Sequence, residues 1–224
     1  MIELKNVTKE FKIGAKDKVT ALKDINLHVG KGETVLLKGP SGSGKSTILS
    51  LIAALNKPTS GEVIVDGKRV SKLADNFTAL FRRENIGFIF QRYNLIPTLS
   101  AKENVIVPLI PSNPDPIKLE KRLQELFSSF SLDSKMGVIV KNLSGGEQQR
   151  VAIMRSLINN PTIIIADEPT ANLDKKLSLE FIEILRKLKS SENSIVIASH
   201  DPLFFDLDFI DRQIDIQNGE IQCY

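Results

Sequence analysis

Cysteine is nearly absent from this chain. The single one, Cys223, has no partner within it, so no internal disulfide can form and a reducing compartment is the natural expectation. Long apolar runs are missing too. The longest, such as 105–110 and 163–166, fall far below the ~20 residues that cross a bilayer, so the chain is not expected to span a membrane itself. An excess of charge of one sign is also lacking: 30 Lys and Arg stand against 27 Asp and Glu, a net +3 spread along the chain. A nucleic-acid binder would gather its basic residues on one face or tail, so nucleic acid is not an expected partner. The first residues read as an amphipathic strand and not as a charged start followed by an apolar core, which argues against a signal peptide. No internal repeat or low-complexity segment stands out.

What is present is enough for one large α/β domain, or for such a core with a smaller helical insert. The chain has 224 residues, 42% hydrophobic and 25% charged. Alternation at Ile2, Leu4, Val7 and then Val19, Leu22, Ile25, Leu27, Val29 predicts antiparallel strands over residues 2–29. Val35-Leu36-Leu37 reads as a buried strand feeding a helix through Ile48, Leu49, Leu51 and Ile52, half of a βαβ unit. Residues 62–70 read as a hairpin turning at Asp66-Gly67, and 86–90 as a further strand. From about Asn94 to Leu143, prolines 97, 108, 111, 114 and 116 punctuate short helices, with Leu119, Leu123, Leu126, Phe127 and Phe130 at helical spacing. Beyond lie a helix (147–158), a strand (162–166), a helix (177–188), a strand (194–198) and a terminal hairpin at Asn218-Gly219. Strands alternating with helices predict a mostly parallel sheet.

Between the predicted strand and helix stands Gly39-Pro40-Ser41-Gly42-Ser43-Gly44-Lys45-Ser46-Thr47, which satisfies G-x-x-x-x-G-K-[ST]. Its glycines let backbone N–H groups converge on phosphate oxygens, and the helix N-terminus adds partial positive charge. Lys45 is suited to the β- and γ-phosphates and the Ser46 hydroxyl to Mg²⁺. A Gly-rich structural turn would not need the Lys and Ser at those places. The apolar strand 163–166 ends in the adjacent acids Asp167 and Glu168. Consecutive strand residues face opposite ways, so the two can differ in role. Asp167 suits Mg²⁺, and Glu168 suits orienting and deprotonating a water.

Leu143-Ser144-Gly145-Gly146-Glu147-Gln148-Gln149-Arg150 opens a helix with an N-cap serine and two glycines, a second anion site. One nucleotide has one γ-phosphate, already assigned to Lys45. A second site makes sense if Ser144, Gly145, Gly146 and Gln148 close over the nucleotide of another copy.

This stretch resembles the signature of ATP-binding-cassette ATPases, and further motifs of that family occur in order. Gln91 resembles the Q-loop glutamine, which touches Mg²⁺ and the water and moves with the membrane partner. Ala171-Asn172-Leu173-Asp174 resembles the D-loop that crosses the dimer interface. His200 matches the switch histidine at the γ-phosphate, and Phe11 takes the place of the aromatic that stacks on adenine. Phe11 replaces a commoner tyrosine, and Ile139-Val140-Lys141-Asn142 lacks a proline usual before the signature. Gly87-Phe88-Ile89-Phe90-Gln91-Arg92-Tyr93-Asn94-Leu95-Ile96-Pro97, with Glu103-Asn104-Val105 and Pro108-Leu109, is similar to the group serving lipoprotein release, macrolide efflux and cell division.

The resemblance implies a P-loop ABC ATPase fold: an α/β core with an antiparallel β portion (1–91 and 159–224) and an inserted helical subdomain (92–158). It implies ATP and Mg²⁺ as cofactors, and catalysis by Glu168, His200, Gln91 and Lys45. A homodimer forming on ATP binding is implied, together with a separate transmembrane permease that holds the chain on the cytoplasmic face of the membrane. The cell-division type, signalling mechanically without transport, is the alternative. A permease helix is expected to dock on residues 93–109, with Leu95 and Leu99 among its apolar contacts. Rival nucleotide enzymes fit less well. The nearest approach to a guanine-reading Asn-Lys-x-Asp, Asn56-Lys57-Pro58-Thr59, lacks the Asp. The coiled coils, zinc motifs or second cassette of repair and translation ATPases are not there either, and a scaffolding subunit would not need Glu168 or His200.

Overall fold

The computed structural model describes residues 1–14, 17–171 and 173–222; Asn172 of the expected D-loop and Cys223 lie outside the described residues. Two long antiparallel strands, β1 (Ile2–Ile13) and β2 (Asp17–Val29), pair as the alternation predicts. They join β4 (Ser60–Val65) and the short β5 (Lys68–Arg69) in a sheet of order β2-β1-β4-β5. Asp66 and Gly67 make the β4–β5 turn, both at positive φ.

The second sheet contains β3 (Thr34–Lys38), β6 (Ile86–Ile89), β7 (Ile163–Asp167), β8 (Ser194–Ala198), β9 (Arg212–Gln217) and β10 (Glu220–Ile221), in the order β10-β9-β3-β8-β7-β6. All its pairings are parallel except β9–β10. Parallel sheets are covered on both faces, and the strands show why. Val35, Leu37, Ile163, Ile165, Val196 and Ala198 enter one apolar cluster with the antiparallel sheet and helix α1 (Lys45–Ile52). Leu36, Ile164, Ala166, Ile195 and Ile197 enter a second cluster, among the helices on the other face.

Those helices are α3 (Ala101–Ile106), α4 (Pro116–Ser129), α5 (Gly145–Leu157) and α6 (Lys175–Leu188). The 3₁₀ turn Val107–Ser112 absorbs Pro108 and Pro111, which an α-helix would not accept. On α4 the spacing holds: Leu123, Leu126 and Phe127 are buried, with Leu119 and Phe130 packed beside them. The helical segment has no core of its own but shares one with the sheet.

Three elements differ from the sequence expectation. Helix α5 starts at Gly145, not at residue 147, because Ser144 caps it: its Oγ accepts from Glu147 N at 3.3 Å while Glu147 Oε2 accepts from Ser144 N at 2.8 Å. A helix α2 (Asp75–Asn85) stands where none was expected. Only Thr78 and Phe81 along it are buried, too short a stripe to announce a helix. Strand β7 ends at Asp167, and Glu168 turns into the left-handed region at φ 43°. The two acids therefore separate through a turn and not through strand pleating.

Strand β6 and helix α5 meet where only glycine fits. A Cβ on Gly87 would fall 2.5 Å from the Ser156 carbonyl oxygen and 2.8 Å from Pro161 Cγ. Gly87→Ala should therefore destabilise the chain by about 1–3 kcal/mol, as overpacked cores do. At roughly 2–4 °C per kcal/mol for this size, a melting curve should drop by several degrees. An unchanged Tm would mean that α5 can step aside freely.

Candidate nucleotide site

Parallel pairing brings the carboxyl ends of β3, β6, β7 and β8 to one edge, and each is followed by a motif found in the sequence. The loop after β3 is wedged in place. Gly39 sits at φ 146° and Gly44 at φ 111°; a Cβ on Gly39 would fall 2.1 Å from the Ile216 carbonyl oxygen, and one on Gly44 would fall 2.7 Å from Leu22 Cδ2. Both strain and space demand glycine at these two positions. Helix α1 opens at Lys45 without a side-chain cap, so its first N–H groups remain available to an anion.

Lys45 is 4% exposed. Its Nζ donates to the carbonyls of Gly39 at 2.7 Å and Pro40 at 3.1 Å, and lies 3.3 Å from Glu168 Oε1. The other oxygen of that carboxylate, Oε2, is 2.9 Å from His200 Nδ1. The Ser46 hydroxyl donates to Asp167 Oδ1 at 2.8 Å. Burial holds the Asp167 carboxyl above its ordinary pKa; the Ser46 hydrogen bond works against this, the neighbouring Glu168 charge adds to it, and Lys45 opposes it. Lys45, Ser46, Glu168 and His200 border a cavity of about 220 Å³, lined also by Ser41, Gly42, Ser43, Gly44, Thr47, Gln91 and Ala21. Ser46, Asp167 and Gln91 offer hydroxyl, carboxylate and amide oxygens, the donor set of a hard divalent cation.

Other predicted residues stand apart from this cavity. Phe11 lies out on β1, paired with Val19 of β2, 38% exposed, with the Lys9 ammonium 4.9 Å from its ring centre. Ser144, Gly145, Gly146 and Gln148 lie at the start of α5, and Gln148 Nε2 folds back onto the Leu143 carbonyl at 2.9 Å. The structure also supplies partners that the sequence did not single out. Thr170 Oγ1 donates to Asp201 Oδ2 at 2.8 Å, tying the turn after Glu168 to the residue after His200. Buried Gln149 donates to the Pro169 carbonyl at 3.0 Å, joining α5 to the same turn. Each pair lies next to a motif residue, but only the fold shows that they meet.

Comparison with known proteins agrees with this geometry. The family model described as "ABC transporter" matches residues 22–171. An ABC transporter ATP-binding protein of Methanocaldococcus jannaschii, MJ1508, is 43% identical over 221 residues, covering 99% of this chain and 97% of the relative. The macrolide export ATP-binding/permease protein MacB of Bdellovibrio bacteriovorus is 43% identical over 201 residues, which cover 90% of this chain but 30% of MacB. The solved dimeric, post-hydrolysis structure of the cassette MJ0796, also from M. jannaschii and bound to ADP and Pi, superposes with a TM-score of 0.90 at 42% identity, covering 100% of this chain and 97% of that one. The chain belongs to the ABC transporter family and is its ATP-binding cassette, an ATPase on the P-loop fold.

Proposed function

We propose that this cassette hydrolyses Mg²⁺-ATP as one half of a head-to-tail pair and so drives a separate transmembrane permease of the efflux or lipoprotein-release type. The observation that carries the reading is the Glu168 carboxylate held between Lys45 and His200 beside the phosphate loop. Without nucleotide, Lys45 spends its donors on Gly39, Pro40 and Glu168. Phosphate oxygens offer it charge-assisted bonds in place of the neutral carbonyls and compete with Glu168 for the ammonium, so binding frees Glu168. Glu168, still aligned by His200, then accepts the proton of the attacking water. His200 orients that carboxylate and faces the γ-phosphate. Mg²⁺ fits Ser46, Asp167 and Gln91 and, when bound, would neutralise charge on the β- and γ-phosphates. Phe11 offers its ring to adenine. Ser144, Gly145, Gly146 and Gln148 stand clear of their own chain's cavity, which suits closure over the partner copy's nucleotide.

The MacB relatives are named as ATP-binding and permease proteins in one chain. Among the described residues here, no helix is long and apolar enough to cross a membrane. The partner we propose is a permease on a separate chain, which would hold this one at the cytoplasmic face of the membrane. The expected docking segment 93–109 contains both half-buried and exposed apolar residues. Leu95 packs against the interior cluster, whereas Ile96 and Ile110 are exposed. A groove of about 240 Å³ runs over Leu55, Phe88, Phe90 and Pro108. That apolar lining suits a permease helix. Residues 92–158 form the helical body that we propose moves with this partner.

Lys45→Ala should abolish tight ATP binding and leave a cooperative melting transition in place; nucleotide titration beside a melting curve measures both, and unchanged affinity would sink the site. Glu168→Gln removes the carboxylate charge but little volume, so turnover should fall ~10²–10⁴-fold while ATP still binds. The trapped nucleotide should shift this variant from monomer to dimer on size-exclusion chromatography with ATP but not with ADP. Adding Ser144→Arg, a bulky side chain where the γ-phosphate must lie, should reverse the shift. A variant that stays monomeric at saturating ATP would refute the head-to-tail pair. Ile110→Asp should abolish transport in the reconstituted complex while the isolated cassette keeps its ATPase rate. Intact transport would move the docking surface elsewhere.

A further inference from the structure

The hydrolytic scheme uses neither Arg155 nor the shape of the loop behind Gln91, yet both are costly. Arg155 sits in the last turn of α5. Burial lowers its pKa, and among the described residues it forms no ion pair with a carboxylate. A half-buried cation with no carboxylate beside it is held by polar contacts of another kind. Its guanidinium spans two carbonyls: Nη1 donates to Asn94 O and Nη2 to Tyr93 O, each at 2.5 Å.

Those carbonyls belong to consecutive residues in the left-handed region, Tyr93 at φ 50° and Asn94 at φ 49°. Such backbone costs of order 1 kcal/mol or more per non-glycine residue and persists where its surroundings hold it. The next segment is held by Asn104, fully buried, whose Oδ1 accepts from Ile96 N at 2.7 Å and whose Nδ2 donates to the Ser100 carbonyl at 3.0 Å. Upstream of the strained pair, Gln91 lines the nucleotide cavity. Arg155 also lines the apolar groove beside Phe88, Phe90 and Pro108. One side chain thus lies between the partner-facing groove and the loop that enters the nucleotide cavity.

A cation at the C-terminal end of a helix also complements the helix dipole, but a lysine would do that equally well. What lysine lacks is the planar fork that holds two carbonyls at once.

We infer that Arg155 is a positioning residue for Gln91: its fork on the Tyr93 and Asn94 carbonyls fixes the loop that carries Gln91 into the nucleotide cavity, an inference resting on the reading of Gln91 as part of the hydrolytic site. Arg155 is not among the residues that line the nucleotide cavity. Its effect belongs in turnover and not in nucleotide affinity, because the phosphate loop is anchored by other strands.

The test is a double-mutant cycle on the full chain, with kcat, KM, nucleotide affinity without Mg²⁺ and melting temperature read for each variant. Arg155→Lys keeps the charge and loses the fork. It should lower kcat by about tenfold, since a misplacement of 1 Å can cost ~10²-fold, while nucleotide affinity stays within about twofold. Gln91→Ala should lower kcat at least as much. The pair together should lose no more than Gln91→Ala alone, because both act on one group. Should Arg155→Lys fail to fold, Asn94→Gly serves instead: it leaves Arg155 in place and frees the strained backbone, and it should show the same fall in kcat and the same non-additivity with Gln91→Ala. Losses that multiply, or a folded Arg155→Lys with wild-type kcat, would overturn the inference. A Gln91→Ala variant with wild-type kcat would overturn the underlying reading of Gln91, an outcome distinguishable from the first two.

Discussion

Parallel pairing of β3, β8, β7 and β6 is the constraint on which the rest depends. Parallel strands end together, so the loops after Lys38, Ile89, Asp167 and Ala198 emerge on one edge. Those loops carry Lys45, Gln91, Glu168 and His200. Sheets of this kind bind ligands at the carboxyl ends of their strands for this geometric reason. The two-sided burial of Val35, Leu36, Leu37 and their neighbours fixes the register, because a one-residue slip would exchange the two apolar clusters.

The charges at that edge satisfy one another. Lys45 and Glu168 form an almost buried pair, and such pairs roughly break even between desolvation and attraction. Replacing one partner by phosphate oxygens therefore costs little, whereas deleting either partner leaves an uncompensated charge. The raised pKa of Asp167 belongs to the same balance: two adjacent carboxylates under partial burial favour an incoming cation. Stability and readiness for ligand come from one set of contacts.

Connections between the sheet and the helices are made by few side chains. Gln149 reaches the Pro169 carbonyl, Arg155 reaches the loop behind Gln91, and Ser144 and Glu147 cap the helix that carries both. Helix α5 thereby keeps its N-terminus clear of the nucleotide cavity while its sides hold two loops that border it. A shift of α5 would be felt at Glu168 and at Gln91 together.

Sequence alone determined the chemistry and its order. The glycine spacing before Lys45, the acids closing an apolar strand, the Ser-Gly-Gly opening of a helix and the histidine after Ala198 were all legible, because local motifs specify local backbone and the alternation of apolar residues specifies strands. Helix α2 was not legible, since its buried stripe is two residues wide. Nor was the split between Asp167 and Glu168, which rests on a left-handed turn held by tertiary contacts. The proximities themselves came only from the fold. Ser46 and Asp167 lie 121 residues apart along the chain and share a hydrogen bond because the sheet order is not the chain order. Arg155 reads in the sequence as one more basic residue at a helix end; only packing against a strained loop turns it into a fork.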